Sequence, residues 1–93
     1  MKAQINGRTS AVRALALTQM RRLTNEVSAD ETLAHAVAQS AEAFEQAGCF
    51  GEAEALRLVA RHHRIRGLEA RSRFVILQTA YTSLQAYLDD TVD

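Results

Sequence analysis

An all-α domain of four helices is the fold this chain predicts, and three observations carry the expectation. Apolar residues return every three or four positions along most of its 93 residues, the spacing of one helix face. It contains no proline and only four glycines, so little in it interrupts a helix. Start and stop signals nevertheless stand at Ser10, at Ser28 with Glu31, at Gly48 and Gly51, and at Gly67. These divide the periodic stretches into four.

Taken in order, residues 1–9 read as a leader with a turn signal at Asn6-Gly7. Ser10 caps a first helix over about residues 10–27. Its apolar stripe is Val12, Leu15, Ala16, Met20, Leu23 and Val27, with Arg13, Arg21 and Arg22 off the stripe. Ser28 followed by Glu31 has the capping-box pattern, which satisfies free backbone N–H groups at a helix start. It opens a second helix over about 29–47, with Leu33, Val37, Ala41 and Phe44 inward. A glycine directly after the last periodic residue suits the left-handed cap that ends many helices, so Gly48 and Gly51 bound a tight turn. A third helix follows over about 52–65, with Glu52 and Glu54 in its first turn and Arg61 and Arg64 in its last, the order the helix dipole favours. Gly67 ends it. The fourth helix, about 68–89, repeats Ala70, Phe74, Leu77, Tyr81, Leu84 and Leu88 over almost three heptads, and Val75, Ile76, Ala80 and Tyr87 widen that face.

The second and third helices form an antiparallel hairpin in this reading. Small residues at Ala41, Ala53 and Ala60 let the two axes approach closely, and Phe44 and Leu56 fill the space left. The expected core is Leu23, Leu33, Val37, Phe44, Leu56, Val59, Ala60, Leu77 and Leu84, with the fourth helix packed along the hairpin.

The segment from about residue 34 to 67 resembles a single tetratricopeptide repeat, a helix–turn–helix unit. Phe44 falls where that repeat has an aromatic in its first helix, Gly48 and Phe50 at its turn, and Ala53 and Ala60 at its small packing positions. The pattern departs at Val37, Ser40 and Ala41, which stand where the repeat has its early Trp, Leu and Gly. It departs again at Arg57 and Ile65, in place of its later aromatic and closing proline. The resemblance implies a helical hairpin suited to binding other helices or peptides.

A chain of this length makes one domain with a thin stability margin, which favours covering apolar surface by association. Net charge is zero, so no global field selects nucleic acid or membrane. Cys49 is the only cysteine; it cannot form an internal disulfide and suits a reducing, cytoplasmic setting. The longest compact apolar run, residues 74–77, is too short for a membrane span. Lys2, Arg8, Arg13, Arg21 and Arg22, with no acid before residue 26, give the start some likeness to a mitochondrial presequence; the simpler reading is a fixed helix.

Charge is segregated although the total cancels. Residues 26–56 hold seven acids and no Lys or Arg, whereas Arg57, Arg61, Arg64, Arg66, Arg71 and Arg73 follow with Glu69 alone among them. These arginines are the candidate anion- or nucleic-acid-binding residues, since guanidinium forks match phosphate. The simpler reading pairs them with the acidic helix next door. Glu31 and His35, four apart, could share a metal, but His62 and His63 point about 100° apart and cannot clasp one ion. His63 reads as a hydrogen-bonded boundary residue. No catalytic, cofactor or metal motif is present in the sequence, and no cofactor is expected. The expectation is therefore a non-catalytic adaptor or regulatory protein that binds another protein. Its candidate partner-binding and homodimer seam is Phe74, Leu77, Tyr81, Leu84 and Leu88; a nucleic-acid binder is the alternative.

Overall fold

The computed structural model describes the backbone of residues 2–91 and the side chains of residues 7–90. Among the described residues there are two helices, not four. Helix α1 runs Lys2–Gln46 and helix α2 runs Phe50–Thr91. They fold back on each other as one long antiparallel hairpin measuring 70 × 17 × 12 Å. A helix of that length spans about 65 Å, so each one runs nearly the whole length of the molecule. The radius of gyration is 20.6 Å, against about 12 Å for a compact domain of this size.

The predicted four-helix fold, with helices over 10–27, 29–47, 52–65 and 68–89, is thus corrected to a two-helix hairpin. The residues expected as leader are helical from Lys2 onward, and Met1 lies outside the described residues. Local signals lost to long-range packing at each supposed break. The Ser28–Glu31 box is a start signal without a stop before it: no Gly or Pro lies between Thr9 and Ser28, so the backbone hydrogen bonds continue through. Gly67 costs a helix interior up to about 1 kcal/mol, which the surrounding packing offsets. Threonines are accommodated as well, since Thr18, Thr24, Thr79 and Thr82 each donate to the carbonyl four residues back at 2.9 Å.

Only the turn at 47–49 survives as a break. Gly48 has φ +83°, the left-handed conformation that a side chain disfavours. Its N–H donates to the Glu45 carbonyl at 3.0 Å, and the Cys49 N–H donates to the Phe44 carbonyl at 2.8 Å. That pair of bonds is the Schellman ending of α1. The Cys49 carbonyl then accepts from the Ala53 N–H at 3.0 Å, the first bond of α2. Three residues, Ala47, Gly48 and Cys49, thus end one helix and start the next.

Each helix presents one seam to the other. On α1 it runs from Thr9 through Arg13, Ala16, Met20, Leu23, Val27, Asp30, Ala34 and Val37 to Ala41. On α2 it runs from Ala53 through Leu56, Ala60, His63, Gly67 and Ala70 to Leu88. Every one of these positions is buried or half-buried. The spacing alternates three and four without a slip, which is the heptad of a coiled coil. The seam is graded. Toward the turn it is built of Ala34, Ala41, Ala53 and Ala60, at most 2% exposed; toward the open end it is built of larger, half-buried side chains. No large side chain among the described residues is fully buried.

Ala60 is buried as expected, and Leu23, Val37, Leu56, Leu77 and Leu84 are half-buried on the seam, but Leu33, Phe44 and Val59 stand 42–47% exposed beside it. The sequence stripe was drawn one position too wide at those points. Arg13, expected off the stripe, lies on the seam, and its Nε is buried with no hydrogen-bond partner among the described residues.

Gly48 in the turn and Gly67 on the seam make opposite demands. An added Cβ at Gly67 would meet only the Asp30 Cβ, at 3.5 Å, an ordinary contact. Gly67→Ala should therefore stabilise by up to about 1 kcal/mol through helix propensity, whereas Gly48→Ala should destabilise by about 1–2 kcal/mol through its left-handed φ. Urea unfolding of both variants at equal concentration measures the pair. A loss of stability for Gly67→Ala would mean the helices are closer at that layer than described.

Candidate functional site

The seam holds one polar layer. Asp30 is 7% exposed, and its Oδ1 lies 3.3 Å from Nδ1 of His63. A carboxylate can only accept, so the ring nitrogen is the donor here. The pair needs both helices to run unbroken through positions read as boundaries from sequence. His63 was expected to be a hydrogen-bonded boundary residue and is one; Asp30 was missed. The signal for Asp30 was available: it interrupts an apolar heptad between Val27 and Ala34, as His63 does between Ala60 and Gly67.

The six candidate arginines divide by position. Arg57 pairs with Glu45 and Arg71 with Glu31, both across the hairpin on one flank of the seam. These are exposed pairs worth well under 1 kcal/mol each, and they match the simpler reading of the segregated charge. Arg64 lies on the same flank between them, Arg66 and Arg73 lie on the opposite flank, and Arg61 lies on the outer side of α2; all four are exposed. Glu31, considered as a metal ligand with His35, is engaged by Arg71, and no group of three His, Cys, Asp or Glu side chains assembles among the described residues.

The candidate partner-binding residues Phe74, Leu77, Tyr81, Leu84 and Leu88 all lie on the seam of α2 and are half-buried. They are the half of the hairpin's own interface that continues Ala60, Gly67 and Ala70 toward the open end. A shallow groove of about 500 Å³ opens beside them, lined by Gln19, Arg22, Leu23, Glu26, Arg73, Ile76, Leu77 and Ala80.

Exposed large apolar side chains occur along both helices, among them Val12, Leu15, Leu33, Phe44, Phe50 and Tyr87; a further set lies away from the seam on α2. Leu58 is 64% exposed, Ile65 48%, Leu68 63%, Val75 52% and Ile76 67%. With Arg61 and Ser72, four of these make a second run at alternating spacings of three and four, from Leu58 to Val75. Helix α2 therefore carries two heptad seams, one occupied by α1 and one facing solvent. The corresponding side of α1 is polar, with Thr18, Arg21, Asn25, Ser28, Thr32, His35, Gln39 and Glu42. A scattered exposed leucine means little, but Leu58, Ile65, Leu68 and Val75 recurring along one helix face make a stripe, interrupted by Arg61 and Ser72, of the kind that marks an interaction site. Because the stripe was divided between two predicted helices at Gly67, the sequence reading could not see it as one.

No helix of the described residues is long and apolar enough to cross a membrane. Compared with known proteins, the chain matches no family model, no curated protein and no solved structure.

Proposed function

We propose that this is a non-catalytic protein–protein interaction module, an adaptor or regulatory protein of the cytoplasm, which docks a partner helix along the outer face of α2. The observation behind it is the exposed seam from Leu58 to Val75. A second heptad stripe is complementary to another helix by knobs-into-holes packing, and it has no occupant within the hairpin. The helix–turn–helix around Gly48 supports the same reading, since it is the part that resembles a tetratricopeptide repeat. The free Cys49 thiol suits a reducing compartment.

The test is capture from an extract of the native cells, with the tagged chain and its Leu68→Asp variant as baits. Leu68 is exposed, so the variant should keep its helical circular dichroism while placing a carboxylate in the docking stripe. The expected result is a retained chain, this protein itself or another, that the variant loses. Equal retention by both baits would overturn the reading.

A further inference from the structure

We infer that the helix docked on this outer face is α2 of a second copy, antiparallel, about a two-fold axis between Arg66 and Gly67. The inference rests on the reading above and names its partner.

The stripe is symmetric about that midpoint. Leu58 and Val75 stand equally far from that midpoint, as do Ile65 and Leu68, and as do Arg61 and Ser72. An antiparallel two-fold exchanges the members of each pair. It sets Leu58 against Val75 of the second copy and Ile65 against Leu68, and confines the one charged seam residue, Arg61, to a position opposite a hydroxyl. Every apolar position meets an apolar one. An isologous interface demands this self-complementarity.

The flanks agree with it. On one side, Ala55 and Ile76 fall nearly equidistant from the axis, as do His62 and Glu69, so the same operation brings an alanine to an isoleucine and an imidazole to a carboxylate. On the other side the same operation brings Arg64 nearly opposite Arg71 of the second copy and Arg57 nearly opposite Gln78. Arg57 and Arg71 are tied to Glu45 and Glu31 of their own chain, so the approach of Arg64 to Arg71 is offset in part by the Glu31 carboxylate. A parallel pairing would instead stack Arg61 on Arg61 in the seam. The stripe is about 27 Å long, short for a specific interface, so the association belongs to the micromolar range.

Light scattering on a sizing column at about 200 µM tests the state, with a dimer mass expected and a monomer mass from Leu68→Asp. Crosslinking tests the geometry. In a Cys49→Ser background, Leu58→Cys and Val75→Cys are made separately. Two positions 17 residues apart on a helix are about 26 Å apart, far beyond disulfide reach. Neither protein alone should form a disulfide dimer across an antiparallel seam, and a mixture of the two should. A wild-type monomer mass, or self-crosslinking of each protein alone, overturns the inference. If the wild type is a monomer but still retains another chain that Leu68→Asp loses, the second copy is refuted and the interaction reading stands. If it is a monomer and captures nothing that the variant loses, both fall.

Discussion

Replacing His63 with Leu while keeping Asp30 is expected to destabilise the hairpin by about 2–3 kcal/mol, from the cost of stranding a desolvated carboxylate. The Asp30 side chain is 10% exposed and His63 is 20% exposed, so water reaches neither freely. With the imidazole gone, Asp30 keeps its desolvation and loses its donor. The double variant Asp30→Ala, His63→Leu removes both polar groups, continues the alanine run of α1, and should recover most or all of the loss. Urea unfolding followed at the helical circular dichroism band, at one protein concentration throughout, gives the four corners of the cycle. A double variant as unstable as His63→Leu alone would show that the pair is not the origin of the effect. The polar layer is also one of the features that distinguish this register from a slip by one heptad, in which Asp30 would lose its imidazole. Loss of a single register in the double variant, read as broadened amide resonances without loss of helix, is the signature of that role.

Enlarging the small seam near the turn is the second large effect. Ala41 and Ala53 are 0% exposed, and stepping from the Asp30–His63 layer toward the turn places them in facing layers. Ala53→Leu adds three carbons where two backbones already approach, which in a packed core costs about 1–3 kcal/mol. Because the Gly48-Cys49 turn is so short, the helices cannot part there without breaking the Schellman bonds. Ala43→Leu, on the exposed outer side of α1, adds the same atoms and should change stability by less than about 0.5 kcal/mol. Thermal unfolding of the two variants side by side measures the difference. Equal, small effects would mean that the seam opens without cost at its alanine end.

Part of this architecture was legible residue by residue. The turn at Gly48 follows from chain chemistry alone, because a glycine behind a periodic stretch supplies the left-handed cap at no steric cost. The close approach of Ala41, Ala53 and Ala60 is likewise readable, since buried alanines at heptad spacing have few other uses. The pairing of Arg57 and Arg71 with the acidic half follows from charge segregation. Asp30, inside the Ser28–Glu31 box, reads locally as part of a cap; its place in the heptad between Val27 and Ala34 marks it as a seam residue, and its partner 33 residues away gives it its role.

By itself, then, the sequence determined that the chain is helical, where it turns back, and which small residues line the crossing, because propensity, glycine conformation and heptad spacing act within one or two turns. Whether Ser28 and Gly67 end helices was decided only by the tertiary structure. A helix end is a competition between local capping and continued packing, and the second term depends on residues far along the chain. The same holds for the exposed stripe from Leu58 to Val75. Its four apolar residues are plain in the sequence, but they fall on one face only because α2 stays unbroken through Gly67, and they remain open because α1 occupies the other side.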